Sequence, residues 1–205
     1  MNNLAIASFA LAFVMLPAPS HASGSSPGQT RCNLTETTGP GVRGLRPGMG
    51  TQQFLALFPG ITKKREMRDA IEKAKSTTGA DAVYLGVNPV TDGDARQFAG
   101  IESVAATFYK GHVVDFTVQY GGASWRNIDE WIAKLAESFN LPRAQDWQVG
   151  PDESPNKVLR CNGIMIEAAI QGGSASIRVR NTGYMDEVEA RTKAAEDKQR
   201  RDVKP

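Results

Sequence analysis

The sequence has little of what chemistry usually needs. It holds 2 histidines, His21 and His112. His21 falls in a leader expected to be removed, which leaves His112 alone at a hairpin end. One histidine without a partner gives no acid–base relay. Cysteines also number 2, Cys32 and Cys161. Together with one histidine they make no zinc set, and Cys161 is expected to point inward, away from any nucleophile role. Asn88, Asp92 and Asp94 surround Gly93, but the spacing lacks the calcium-loop pattern and its terminal Glu. No metal and no cofactor is expected. An excess of one charge is also missing. Lys and Arg total 24 against 22 Asp and Glu, a net charge of +2. Nothing there demands a nucleic-acid partner. Apart from Leu4 to Leu16, which is shorter than a bilayer span, no long apolar run occurs.

That single run reads as the core of a signal peptide. Pro17, Pro19 and Ser20 break it, and Ser20-His21-Ala22 supplies small residues at the −3 and −1 positions. Cleavage is expected after Ala22. Met1-Asn2-Asn3 carries no Lys or Arg, so an uncleaved anchor is the competing reading. A lipoprotein would need a cysteine directly after the run, and Cys32 lies too far on. The expected location is periplasmic or extracellular. Two cysteines in an exported chain point to one disulfide, Cys32 to Cys161, with two separate thiols as the alternative. Closing so long a loop would stabilise by about 4–5 kcal/mol in the chain-entropy model.

The rest divides into a flexible leader (23–40), one α+β domain (41–182) and a charged tail (183–205). Thr51 is expected to cap a helix with Phe54, Leu55 and Phe58 on its apolar stripe, ended by Pro59-Gly60. Lys63 to Lys75 is a second helix with Met67, Ala70, Ile71 and Ala74 inward. Its other faces carry six basic residues against three acidic ones. Val83 to Val87 reads as a strand and 88–100 as a loop. Ile101 to Phe108 and His112 to Tyr120 read as a hairpin. A three-residue loop Tyr109-Lys110-Gly111 would set Ala106 against Val114 and Val104 against Phe116. A strong amphipathic helix spans Asn127 to Asn140, with Ile128, Trp131, Ile132, Leu135 and Phe139 in one stripe. Asn127 and Glu130 resemble a capping box.

The clearest pattern comes last. Asn162-Gly163 and Gly172-Gly173 are two-residue turn signals. They pair Leu159 with Ile166, Ile166 with Val179, Ala168 with Ile177, and Ile170 with Ala175. Both turns sort the same residues to one apolar face. The opposite face then carries Arg160, Met165, Glu167, Ala169, Ser176, Arg178 and Arg180, with Glu167 across from Arg178 as an expected ion pair. If the first hairpin joins this sheet, Ser103, Thr107, Asp115, Thr117 and Gln119 share that polar side. The tail after Gly183 balances acids and bases and has no continuous apolar stripe, so a frayed helix projecting into solvent is expected.

The stretch Leu45-Arg46-Pro47-Gly48-Met49-Gly50-Thr51-Gln52-Gln53-Phe54-Leu55-Ala56-Leu57-Phe58-Pro59-Gly60 is similar to the opening of BamE/SmpA-OmlA-type envelope domains. It also resembles helix-then-sheet units of the related β-lactamase-inhibitor-protein-like fold. The resemblance implies an antiparallel sheet with helices on one face and a non-enzymatic role in binding or envelope assembly. Residues 41–120 and 124–182 would then be two divergent helix-plus-strands units.

The fold class expected is α+β: a mainly antiparallel sheet of about five strands with helices packed on one face. The expected function is non-catalytic binding or envelope scaffolding through the polar sheet face. Arg160, Arg178, Arg180 and Glu167 form the candidate binding set, since arginine suits acidic groups on a protein or an anionic envelope polymer. The alternative is a small envelope hydrolase acting on glycan or peptidoglycan through a carboxylate pair drawn from Glu102, Asp115 and Glu167.

Overall fold

The computed structural model describes residues 32–75, 82–122, 124–150 and 155–202. The expected signal peptide and its cleavage site, at residues 1–22, lie outside the described residues. Among these, no helix is long and apolar enough to cross a membrane.

The described residues begin at a cysteine. Cys32 is disulfide-bonded to Cys161, 129 residues later, and both half-buried residues pack against the core. Val42 and Leu45 then exchange backbone hydrogen bonds in a tight turn and bury their side chains. Helix α1 is Thr51–Leu57. Its N-cap is Gly50 and not the expected Thr51; the Gln53 side chain accepts from the Gly50 N–H at 3.0 Å. The Thr51 hydroxyl instead donates to the carbonyls of Ala74 (3.0 Å) and Gly111 (3.2 Å), tying α1 to the next helix and to the hairpin tip. A 3-10 turn, Pro59–Lys63, follows, then α2, Arg65–Lys75.

Strand β1 is Val83–Val87. Helix α3, Pro89–Asp92, is one turn capped by the Asn88 side chain. Asp92, weighed above as a calcium ligand, is buried; it accepts from the Asn88 N–H at 3.0 Å and from Lys64 Nζ at 2.8 Å. The 3-10 turn presses against it so closely that a Cβ on Gly60 would lie 2.6 Å from the Asp92 Cα. Strands β2 (Ile101–Tyr109) and β3 (His112–Tyr120) form the first hairpin.

The hairpin corrects one expectation. The turn is the two-residue Lys110-Gly111, with φ of 50° and 79°, and Tyr109 pairs with His112. A bulge at Val114 then shifts the register by one, so that Ala106 faces Phe116 and Val104 faces Val118. The bulge restores what the short turn alone would spoil: bulky residues of both strands still share one side.

Helix α4, Ile128–Phe139, is capped by Asn127, whose side chain accepts from the Asp129 N–H at 2.8 Å. It ends at Asn140, which adopts the left-handed conformation. Four more strands follow: β4 (Gln148–Val149), β5 (Asn156–Arg160), β6 (Ile164–Gln171) and β7 (Ser174–Asn181). The register across β5, β6 and β7 is the expected one: Leu159 with Ile166, Ile166 with Val179, Ala168 with Ile177, Ile170 with Ala175. Helix α5, Thr182–Asp202, closes the described chain.

The fold is α+β with a wholly antiparallel sheet of 7 strands in the order β1-β2-β3-β7-β6-β5-β4. The count exceeds the expected five. Three strands, β1 to β3, and four, β4 to β7, each pair in sequence order, and the two runs meet where β3 pairs with β7. One face of the sheet is apolar. Leu85, Val104, Ala106, Phe108, Phe116, Val118, Ile166, Ala168, Ile177 and Val179 are buried there in a single core. The aromatic rings of Phe54, Phe58, Phe98 and Phe108 stack at centroid distances of 4.8–5.1 Å under the first meander. Trp131 of α4 stacks with Tyr120 and Trp125 and donates its indole N–H to the Ser176 carbonyl at 3.0 Å. Full burial of each such ring contributes about 1.5–3 kcal/mol.

Candidate functional site

Alternation along six strands lays the remaining side chains on the opposite, polar face. The register fixes them in rows running across the sheet. One row reads Tyr84, Thr107, Asp115, Arg180, Met165, Arg160. The next reads Gly86, Ala105, Thr117, Arg178, Glu167, Val158, and a third Ser103, Gln119, Ser176, Ala169, Asn156. The four candidate residues therefore share a face. Their pairing is not the one expected.

Glu167 does stand across from Arg178 in register, but Arg178 turns the other way. Its Nε donates to Asp115 Oδ1 at 2.9 Å and its Nη2 to Oδ2, a two-pronged grip on a carboxylate of β3. Arg180 Nε reaches the same Oδ2 at 3.3 Å. The two guanidiniums thus share one nearly buried acid, whose side chain is 9% exposed. Its hydrogen bonds hold the Arg178 guanidinium above its already high ordinary pKa, against the opposing effect of burial. Glu167 is left with a long hydrogen bond from Asn156 Nδ2, 3.4 Å. Arg160 lies exposed on β5 with Nη1 3.3 Å from the Met165 sulfur.

Helix α5 divides this face in two. Residues after 183 were expected to project into solvent, and the first turns do not. Tyr184 stacks on Tyr109 at 5.1 Å. Glu187 accepts from the Tyr109 hydroxyl at 2.6 Å and from Lys110 Nζ at 3.1 Å. The Arg191 guanidinium sits 5.0 Å from the Tyr109 ring centre. These contacts are polar and aromatic, which is why no apolar stripe announced them. The same hydrogen bonds, from Tyr109 first and Lys110 second, hold the Glu187 carboxyl below the usual glutamate range. A helix therefore lies on the face expected to be bare. Between it and the sheet a cavity of about 450 Å³ is lined by Thr107, Asp115, Arg178, Arg180, Tyr184 and Met185, among others.

Beyond Arg178 the face is open. A depression of about 330 Å³ is lined by Tyr84, Ser103, Ala105, Thr117, Gln119, Gln171, Ser174, Ser176 and Arg178. Ser103 Oγ donates to Gln119 Oε1 at 3.2 Å across β2 and β3. Tyr84 stands at the rim, 68% exposed. Arg178, 41% exposed, lines both cavities. The chain matches no family model, no curated protein and no solved structure.

Sequence reasoning alone places Ser103, Thr117, Gln119, Ser176 and Arg178 on this side. It missed Tyr84, Ser174 and Gln171. The signal for Tyr84 was there: in Val83-Tyr84-Leu85-Gly86-Val87 the tyrosine occupies an out-facing position of an alternating strand. His112, the one histidine among the described residues, is exposed with Nδ1 3.1 Å from the Gly48 carbonyl. Glu102 is exposed at a bulge opposite the end of β3.

Proposed function

We propose that this chain is a non-catalytic binding protein acting outside the cytoplasm, with the open half of its polar sheet face as the contact surface. The observation that carries the reading is the depression rimmed by Tyr84 and Arg178, on a face whose other half is covered by α5. Tyrosine and arginine are the residue types that concentrate binding energy at contact surfaces. The asymmetry narrows the expected binding set. Arg178 is the anchor, Arg160 is a peripheral cation, and Arg180, 16% exposed beneath α5, holds the covered half together. The Cys32–Cys161 disulfide suits an oxidising compartment. The likeness of residues 45–60 to BamE/SmpA-type openings, and the repeated order of helices followed by antiparallel strands, are in line with a binding or scaffolding role.

The hydrolase alternative draws less from the same geometry. Asp115, its best-placed carboxylate, has both oxygens engaged by guanidiniums, and an oxygen of Glu167 is held by Asn156.

The test is capture from an envelope extract, with the wild-type chain and a Tyr84→Ala/Gln119→Ala variant as baits. A stoichiometric component held by wild type and lost from the variant is the expected result. Equal retention by both baits would remove the face from consideration. Breakdown of added peptidoglycan or glycan by the wild-type chain would replace the binding reading with the enzymatic one.

A further inference from the structure

The open depression has a composition that names a ligand class. We infer that it binds an acidic oligosaccharide, a hydroxyl-rich sugar chain bearing a carboxylate that meets Arg178; this rests on the binding-module reading and sharpens it.

Four of the nine lining side chains are aliphatic hydroxyls, Ser103, Thr117, Ser174 and Ser176, and two are amides, Gln119 and Gln171. Each of these groups can donate and accept a hydrogen bond, as each sugar hydroxyl can. No lining residue is a carboxylate, and Arg178 is the one charge. The charge complement is therefore a ligand with a single acid at one end and neutral polar groups elsewhere. A fatty chain finds no apolar cavity here, because Ala105 is the one aliphatic side chain in the lining. A folded protein partner would bring an apolar anchor, which this lining gives nowhere to insert.

Geometry adds to this. Neighbouring strands stand about 4.8 Å apart, close to the roughly 5 Å length of one pyranose unit in an extended chain. A sugar chain running across the strands would meet a fresh hydroxyl or amide at each step: Ser103, Gln119 and Ser176 lie side by side in one row. At the β1 side the exposed Tyr84 ring presents an aromatic surface with a polar tip, suited to the C–H face of a sugar. At the other side Arg178 commits Nε and Nη2 to Asp115. Among the described residues its Nη1 has no partner, and the guanidinium is exposed enough to take a ligand carboxylate.

A xylotriose bearing one terminal glucuronic acid and the methyl ester of that acid serve as probes, titrated calorimetrically into the full purified chain. Wild type is expected to bind the acid at least tenfold more tightly than the ester. Tyr84→Ala, a change at an exposed site that leaves the core untouched, should weaken both by about tenfold. Arg178→Gln should abolish the preference for the acid. Because that variant also disturbs Asp115, Gln119→Ala provides a second check and should weaken both probes without changing their ratio. Failure of both probes to bind at millimolar concentration overturns the sugar assignment, and so does binding that Tyr84→Ala and Gln119→Ala leave unchanged. If the sugars fail while the extract still yields a component lost with Tyr84→Ala/Gln119→Ala, the ligand class is wrong and the binding face stands. If both fail, both readings go.

Discussion

The covered and open halves of the polar face are built from the same strands, two to four residues apart along each. Toward the hairpin tip, β3 offers Asp115 and β7 offers Arg180; two residues further along each strand come Thr117 and Arg178, then Gln119 and Ser176. In the first half charges answer one another within the molecule, and a helix lies on top. In the second half the side chains are small, neutral and hydrogen-bonding, and nothing among the described residues covers them. A charge satisfied internally holds structure together; a polar surface left in water is available to a partner at small desolvation cost. Arg178 belongs to both halves, which makes it the residue where stability and binding are coupled.

Five changes would break or sharpen that contrast. The largest effect is expected from Asp115→Asn. It leaves two guanidiniums without their shared acid, and urea unfolding should show a loss of about 2–3 kcal/mol, moderated by the partial exposure of Arg178. An unchanged midpoint would mean the covered half is not held by charge. Next comes Glu187→Ala, which removes the acceptor for Tyr109 and Lys110. Amide hydrogen exchange across 184–192 should accelerate severalfold while the strands keep their protection.

Acidification tests the same contact without mutation. The Glu187 carboxyl sits below its ordinary value of 4.5 when docked. Its contribution is therefore complete above that value and fades as pH falls through the lower, docked one. Aromatic NMR shifts of Tyr109 and Tyr184 should move in that acid range and stay flat above pH 5. Movement centred near neutrality would point to another group. The smallest effect belongs to the open half. Gln119→Ala and Tyr84→Ala should each change stability by less than about 0.5 kcal/mol, and a larger loss from either would show that this half, too, is structural.

How much of this could be read from the chain depended on whether the information was local. Asn162-Gly163 and Gly172-Gly173 set the pairing of three strands because turn chemistry and alternation agree there. The stripe Ile128, Trp131, Ile132, Leu135 gave α4 for the same reason. The Lys110-Gly111 turn is not legible in the chain because a bulge leaves no residue signature: Val114 is an ordinary β residue, and its extra place shows only when two faces are matched. Strand β4 left no sign because it has two residues, Gln148 and Val149, too few to carry a period. Arg178 had a carboxylate on each flanking strand, Glu167 on β6 and Asp115 on β3. Choosing between them needs the β3–β7 pairing, a contact between distant segments that no local pattern encodes. The docking of α5 was hidden for a related reason, since Tyr184, Glu187 and Arg191 seek polar partners and not a greasy surface.

The bond between Cys32 and Cys161 makes a covalent ring out of most of the folded body. It encloses α1 to α4 and strands β1 to β5. A single proteolytic nick anywhere inside that ring would leave both fragments attached, and the nicked molecule would run as one species until a reductant was added. For a protein exposed to proteases, that is tolerance of damage written into its connectivity.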